Sequence, residues 1–161
     1  MKAKSGFTLV EILIVVVILG ILAAIVIPQF TNASTEARES ALVSDLQAVR
    51  SQIELYKIQH NNDQLPGTVT GVTFVECMEG YTDIDGAVAL STDAGAKGPY
   101  MRSIPVNPFS SADPDTNLVR EEATSTAGAG THHWSYETST GIFRADDTET
   151  NAVTSEAHSA Y

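Results

Sequence analysis

The residue with the clearest chemical demand in this sequence is Glu11, a carboxylate at the start of a long apolar stretch. The run that follows it, from Ile12 to Ile27, contains no charged residue. A charge inside a membrane helix costs about 2.5–3.5 kcal/mol at mid-bilayer, so such a group needs a partner. No Lys or Arg occurs between Lys4 and Arg38. The carboxylate therefore has no basic partner within its own segment.

A cut after Gly6 would supply the missing counter-ion. It would create a new amino terminus on Phe7, four residues before Glu11. That ammonium group could neutralise the carboxylate of a neighbouring subunit, so the spacing predicts charge pairing between copies of the chain. The residues leave one alternative open, in which the Glu11 side chain simply reaches the headgroup level of a membrane.

The segment that carries this carboxylate is long enough to span a bilayer. As a helix, the 24 residues from Phe7 to Phe30 reach about 36 Å, against a hydrocarbon core of about 30 Å. Lys2 and Lys4 precede the segment, which favours a cytoplasmic amino terminus and an exported carboxyl-terminal part. A cleaved secretory signal fits less well, because the run is long and no A-x-A site follows it. A plain membrane anchor explains the length but not Glu11.

Two residues weaken the middle of this helix. A glycine such as Gly20 costs about 1 kcal/mol in a helix interior, and Pro28 removes the hydrogen bond to the carbonyl of Ala24. The pair predicts a segment, from Gly20 to Pro28, that stretches when subunits are packed or pulled. A simple kink at Pro28 is the alternative.

The segment 31–60 has the pattern of an amphipathic stem helix. Apolar residues recur at spacings of three and four and form a single stripe: Leu42, Leu46, Val49, Ile53 and Tyr56. Arg50 and Glu54 are spaced for an ion pair on another face. The breakers that follow at residues 61–67 predict the end of the helix.

The head, residues 61–161, carries only short strand signals. Residues 69–78 predict a strand, and residues 134–145 predict a hairpin with Gly141 near its turn. Residues 110–131 are rich in Ser, Thr, Ala, Asp and Gly and predict an irregular loop, while residues 146–161 predict a polar, partly disordered tail. The expected fold class is α+β, with a long N-terminal helix, half transmembrane and half packed, against a small antiparallel β-sheet.

The charge of the head limits its partners. It contains 15 acidic and 4 basic residues, and the whole chain contains 20 and 9. This balance excludes nucleic acid as a primary partner, because phosphate binding needs clustered cations. Two acidic groups are candidates for calcium, which takes about six to eight oxygen ligands: Asp83 with Asp85, and Asp146 with Asp147. Solvated acidic turns are the alternative.

No arrangement for nucleophilic catalysis is readable in the sequence. Cys77 is the only cysteine, and we expect a buried free thiol in a strand-like run rather than a nucleophile. His132 and His133 have no spaced third ligand and predict the start of a strand rather than a metal site. There is no G-x-S-x-G sequence and no phosphate-binding loop. The sequence therefore predicts a protein that is not an enzyme, with calcium as the one cofactor worth considering.

The stretch GFTLVE at residues 6–11, preceded by two lysines and followed by an apolar helix, resembles the class III signal of type IV pilins and pseudopilins. The resemblance implies that a prepilin peptidase cuts after Gly6 and N-methylates Phe7. It further implies that Glu11 pairs with the Phe7 amine of an adjacent subunit. Pro28 stands where the family usually has a proline.

A second resemblance lies in the head. The stretch GPYMRSIPVNPF at residues 98–109 is similar to the G-P-Y-L…P-x-[DN]-P-[WF] segment of the major, G-type pseudopilins of type II secretion. Its three prolines fix φ and remove three donors, so it predicts a rigid, non-helical strap. Three side chains are expected to hold it on the core: Tyr100, Ile104 and Phe109. The chain departs from the family after residue 109, because the common glycine- and aspartate-rich C-terminal loop is not evident.

The two resemblances imply a leader at 1–6, a transmembrane assembly helix at 7–30, a stem helix at 31–60 and a head at 61–161. They imply a structural subunit of a homo-oligomeric helical filament, anchored in a bacterial inner membrane with a cytoplasmic amino terminus and a periplasmic head. Its expected partners are a prepilin peptidase, an assembly ATPase, a platform membrane protein and minor pseudopilins or pilins.

The strap favours a type II secretion pseudopilin that acts in protein export. The first alternative is the pilin of a type IV pilus, which would serve adhesion, motility or DNA uptake. Alternatives of another class are a membrane-anchored periplasmic calcium- or sugar-binding module and a membrane-anchored enzyme.

Overall fold

The computed structural model of the chain describes residues 6–113, 115–116, 118–124 and 128–161. Lys2 and Lys4, on which the expected membrane orientation depends, lie outside the described residues. The chain forms two compact units that divide between Ala37 and Arg38. One helix, α1 (Leu9–Gln59), contributes to both units.

The first unit consists of the apolar part of α1. All the large apolar side chains between Ile12 and Ile27 are exposed. A window of 18 residues in α1 has a mean hydropathy of 3.3 and is 0% buried, so the helix is long and apolar enough to cross a membrane. It remains helical through Gly20 and Pro28. Stretching of this segment in a packed filament stays a prediction, because the structure is that of a single chain.

The second unit has its core on the stem part of α1. The five stripe residues, from Leu42 to Tyr56, are each 2% exposed or less, which confirms the predicted amphipathic helix. The first four of them, from Leu42 to Ile53, belong to one buried cluster with four large side chains of the head: Phe74, Trp134, Tyr136 and Phe143. The rings of Phe74 and Tyr136 lie 4.3 Å apart and those of Trp134 and Phe143 lie 5.3 Å apart, at tilted angles that aromatic pairs favour.

Two small sheets complete the head. Their strands are β1 (Tyr81–Thr82) and β2 (Val88–Ala89), then β3 (Val119–Glu122), β4 (Trp134–Glu137) and β5 (Phe143–Ala145). The hairpin of β4 and β5 confirms the prediction for residues 134–145. Gly141 follows its turn with φ +77°, and its N–H donates to the Glu137 carbonyl at 2.8 Å. A residue with a side chain would be strained there.

The predicted α+β fold is confirmed, with antiparallel pairing of β1 with β2 and of β4 with β5 and one parallel pairing, of β3 with β4. The prediction of an irregular loop at 110–131 is wrong at residues 119–122, which form β3, while residues 114, 117 and 125–127 of that loop lie outside the described residues. The sequence of β3, VREE, shows no apolar alternation, and all four residues are half-buried. The charged ones find partners inside the head: the Arg120 guanidinium contacts Asp146 at 2.7 Å, and Glu121 accepts a hydrogen bond from the Phe74 N–H at 2.9 Å.

The predicted strand at 69–78 is also wrong, because this segment contains the helix α2 (Phe74–Glu79). Thr73 is the N-cap residue of α2 and forms a capping box with Glu76. The Thr73 hydroxyl accepts from the Glu76 N–H at 3.2 Å, and the Glu76 carboxylate accepts from the Thr73 N–H at 2.8 Å. This bond lowers the pKa of Glu76. Three residues of α2 are buried at helical spacing: Phe74, Cys77 and Met78. The β-branched residues around them favoured a strand in the sequence analysis, so this spacing was not used.

The predicted non-helical strap at 98–109 is confirmed. Ile104 is buried, and Tyr100 and Phe109 pack against the core from partly buried positions. The strap is also fixed by polar contacts at both sides. The Trp134 indole N–H donates to the Pro105 carbonyl at 2.7 Å, and the Ile104 N–H donates to the Glu79 carboxylate at 2.7 Å.

The segment 146–161, predicted to be a polar surface loop or a partly disordered tail, is exposed over most of residues 148–157 but is held to the head at both ends. Asp146, Asp147 and His158 are buried, and the segment ends in a 3₁₀ helix, His158–Ala160. The expected Arg50–Glu54 ion pair is wrong. Arg50 instead donates to the carbonyls of Phe143 and Tyr161, while Glu54 pairs with Lys57 at 3.0 Å.

Candidate assembly site and acidic clusters

Glu11 lies in a capping box at the start of α1. Its carboxylate oxygen Oε2 accepts from the Thr8 N–H at 2.7 Å and from the Thr8 hydroxyl at 2.8 Å, and the Glu11 N–H donates to the Thr8 hydroxyl oxygen at 3.3 Å. Thr8 supplies dipoles but no charge. The T-x-x-E spacing predicts such a box, yet our reading of the sequence missed it. The box fixes the carboxylate at the helix terminus without neutralising it.

The predicted cleavage bond is accessible. Gly6 and Phe7 precede the helix in non-helical, exposed backbone, and the Phe7 side chain is 84% exposed. Exposed, irregular backbone is the kind that peptidases cut. The structure thus brings the Gly6–Phe7 bond and the Glu11 carboxylate to the same helix end.

Asp83 and Asp85 form the turn between β1 and β2. One oxygen of Asp83 accepts from the N–H groups of Asp85 and Ala87, both at 2.9 Å. One oxygen of Asp85 accepts from the Asn61 amide at 2.8 Å. Both residues are exposed. Their internal bonds shape the turn and fix the direction of its acidic tip.

Asp146 and Asp147 are adjacent but serve different partners. Asp146 pairs with Arg120 and also accepts from the backbone N–H groups of Gly128, Ala129 and His132, at 3.1–3.2 Å. Asp147 accepts from the Asn107 amide at 2.6 Å and lies 2.8 Å from His158. No group of three or more His, Cys, Asp or Glu side chains among the described residues is arranged for a metal ion. Calcium binding by either acidic pair stays a prediction.

His158 was missed entirely by sequence reasoning. Its ring is fully buried, with Nδ1 2.8 Å from an Asp147 oxygen and Nε2 3.2 Å from a Glu39 oxygen. A neutral imidazole has one N–H and donates one of these bonds, whereas the imidazolium ion donates both. The ring thus joins the stem helix to the C-terminal segment. No local sequence pattern predicts this contact, because Glu39 and His158 are 119 positions apart.

Cys77 is a buried free thiol, as predicted, although it lies on α2 rather than on a strand. Its sulfur accepts from the Gly67 N–H at 3.3 Å and from the Tyr56 hydroxyl at 3.7 Å. Burial raises the pKa of Cys77, which disfavours the reactive thiolate.

His133 directly precedes β4, as predicted for the start of a strand. Its ring is buried, and its Nε2 lies 3.0 Å from the Ala112 carbonyl oxygen.

The Glu121 carboxyl makes the stability of the head dependent on pH. Burial raises its pKa above the ordinary value of 4.5, and nearby Glu76 raises it further. The ionised form is therefore disfavoured in the fold, so the free energy of unfolding should fall as pH rises from below 4.5 through the folded pKa.

We expect Glu121→Gln to remove this decrease of the free energy of unfolding with pH. At pH 7 the substitution should raise the free energy of unfolding by less than about 1 kcal/mol, because the carboxyl is partly solvated. Urea unfolding between pH 4 and pH 7, followed by the fluorescence of the single tryptophan, Trp134, measures it. Exposed Glu149→Gln is the matched control and should leave the pH profile unchanged. A Glu121→Gln profile parallel to that of the parent chain contradicts the prediction.

Comparison with known proteins finds similarity in the N-terminal segment and over most of the chain. Residues 1–27 match the family described as the prokaryotic N-terminal methylation motif. The chain is 32% identical over 115 residues to the type II secretion system core protein G of Klebsiella pneumoniae, which covers 69% of this chain and 73% of that protein. It is 34% identical over 119 residues to the type IV major fimbrial protein FimA of Dichelobacter nodosus, covering 72% and 69%.

A third relative, the type II secretion system core protein G of Pseudomonas aeruginosa, is 41% identical over 71 residues. That alignment covers 44% of this chain and about half, 49%, of the relative. No solved structure matches the chain. The chain belongs to the type IV pilin-like family. Within that class its relatives place it with the major pseudopilins, which confirms the resemblance carried by residues 6–11 and 98–109.

Proposed function

We propose that the chain is the structural subunit of a type IV-like filament, and that this filament is a type II secretion pseudopilus that acts in protein export. The observation that carries the proposal is the Glu11 carboxylate, which has no cationic partner among the described residues and is fixed at the start of a 51-residue helix near the exposed Phe7. A tethered enzyme or receptor does not require charge pairing between copies of the chain.

The proposed mechanism begins in the membrane. The apolar part of α1 is exposed in the single chain, so lipid surrounds it until other copies replace the lipid. Cleavage after Gly6 gives each subunit one ammonium group and one carboxylate at the same helix end. Pairing between different copies removes the cost of an unpaired charge and sets the axial register of neighbouring helices. A pairing of two different patches is a heterologous contact, which builds a helical filament when the rotation between subunits does not close into a ring.

The partners follow from this mechanism. A prepilin peptidase would cut and methylate the chain, and an assembly ATPase with a platform membrane protein would extract it from the inner membrane. Minor pseudopilins would join the homo-oligomer. The amino terminus would be cytoplasmic and the head periplasmic. Two of the relatives described above are named as type II secretion system proteins, which supports this choice.

The pilin of a type IV pilus is the second candidate. The similarity to the fimbrial protein of Dichelobacter nodosus favours it, because that alignment spans 72% of the chain. The two candidates differ in phenotype. Deletion of the gene should stop export of a secreted protein in the first case, and should remove surface fibres or surface motility in the second.

The mature amino terminus tests the processing step directly. Mass spectrometry of the protein purified from membranes is expected to find a chain that starts at Phe7 and is heavier by one methyl group. A bulky substitution at the cleavage position, Gly6→Leu, should leave the full-length chain and no filament. A mature protein that retains residues 1–6 and still polymerises would refute the proposal.

A further inference from the structure

A groove on the head lies between the stem helix, the hairpin of β4 and β5 and the C-terminal residues. Its volume is about 430 Å³. Arg50 and Arg144 line it together with Ile142 at the β4–β5 turn, which is 38% exposed. All of these residues belong to the second compact unit.

The groove carries more positive charge than the rest of the acidic head, because two arginines and one glutamate line it. Among the described residues, no Asp or Glu side chain forms an ion pair with Arg50 or Arg144. Arg50 donates to the Phe143 carbonyl and to the main-chain oxygen of Tyr161. Burial and the neighbouring Arg144 guanidinium lower the pKa of Arg50, so the two cations repel each other. Glu54 also lines the groove, but it pairs with Lys57.

A second surface of the same head offers the complementary chemistry. The β1–β2 turn presents Asp83 and Asp85 on either side of Ile84, which is 44% exposed. The turn is held in one shape by internal bonds, including the Asn61 N–H to the Ile84 carbonyl at 3.0 Å. A rigid acidic tip with an apolar centre loses little conformational freedom on docking.

We propose that the groove lined by Arg50 and Arg144 binds the acidic turn Asp83–Ile84–Asp85 of a second copy of this chain. The aspartates would neutralise the arginine pair, and Ile84 would contact Ile142. The two patches are different parts of one molecule, so the contact is head-to-tail and repeats along an open chain of subunits. The proposal rests on the proposed filament function, and adds an interface between heads to the one between N-terminal helices.

Charge reversal in the full-length chain tests the pairing. Arg144→Glu alone and Asp85→Lys alone should each reduce filament mass in electron micrographs by about tenfold or more, because each places like charges in contact. The double variant should recover most of the loss. Arg144→Lys, which keeps the charge, and Asp115→Lys, an exposed acid outside the turn, are the matched controls and should assemble normally.

The possible results distinguish a failure of the proposed interface between heads from a failure of the proposed filament function. Absence of filaments from the parent chain overturns the proposed function and this interface with it. Parent filaments that persist unchanged in Arg144→Glu overturn the interface alone, as does a double variant that assembles no better than either single one. Thermal unfolding monitored at Trp134 verifies that each head is folded.

A second measurement tests the interface without charge reversal, in case a charge-reversed variant has an unstable head. Cysteines placed at Asp85 and Arg144 in a Cys77→Ala background should be joined between copies by a short bismaleimide in intact filaments, as a ladder of multimers. A ladder supports the interface, and its absence from filaments that do form overturns it.

Discussion

Replacing Glu11 with valine is expected to abolish filament formation while leaving the subunit in the membrane. Valine is more apolar than glutamate, so insertion of α1 into the bilayer is not impaired. The Phe7 amine of the neighbouring subunit would lose its only carboxylate partner. A charge left unpaired in this setting costs about 2.5–3.5 kcal/mol, which corresponds to an assembly constant roughly 100-fold weaker for each added subunit.

The capping box provides a matched control for this prediction. Thr8→Val removes the hydroxyl that bonds to Glu11, yet it leaves the carboxylate and the Thr8 backbone bond in place. Loss of such a cap costs about 1 kcal/mol. If Glu11 acts between subunits, Thr8→Val should assemble nearly as well as the parent chain. If its role is only to cap its own helix, the two variants should fail alike.

Membrane fractionation and electron microscopy of sheared filaments measure both variants. The same experiment separates the classes of function. A tethered binding module or enzyme needs no contact between copies, so it should keep its activity with Glu11→Val. Filaments of normal length from Glu11→Val would remove the basis of the proposed function.

The sequence predicted well those features that depend on neighbouring residues. The stripe of five apolar residues on the stem helix repeats every three or four positions, and burial of each one follows from that period. The hairpin at 134–145 has alternating aromatics and a glycine at its turn. The strap at 98–109 owes its shape to three prolines, whose restriction of φ acts locally whatever packs around it.

The features that the sequence analysis missed or predicted wrongly have two physical origins. The boxes Thr8–Glu11 and Thr73–Glu76 were readable from the T-x-x-E spacing, but the β-branched residues around α2 outweighed that signal. The strand β3 and the C-terminal segment were not readable, because their polar residues are buried against partners distant in the chain. Arg120 pairs with Asp146 across 26 positions, and composition alone cannot distinguish such a pair from a solvated one.

The same long-range pairing leads to the largest stability effect that we expect. His158→Ala should lower the free energy of unfolding of the head by about 3 kcal/mol, because it leaves buried oxygens of Glu39 and Asp147 without the ring nitrogens that contact them at 3.2 and 2.8 Å. Their other contacts, which include the Asn151 amide to Glu39 at 3.1 Å, are hydrogen bonds and carry no opposite charge. Urea unfolding of the full-length chain in detergent, followed at Trp134, measures the loss.

A double-mutant cycle identifies the cause of that loss. If the cost arises from loss of the contacts of the His158 ring, Glu39→Gln should cost less in the His158→Ala variant than in the parent chain, because its partner is already gone. If the cost arises only from the cavity that alanine leaves, Glu39→Gln should cost the same in both backgrounds. His132→Ala, at a half-buried histidine whose Nδ1 lies 3.0 Å from the exposed Thr131 hydroxyl, controls for loss of an imidazole and should cost under about 1 kcal/mol. A loss from His158→Ala no larger than that of this control would mean that the C-terminal segment is held on the stem helix by apolar packing instead of by the polar contacts of His158.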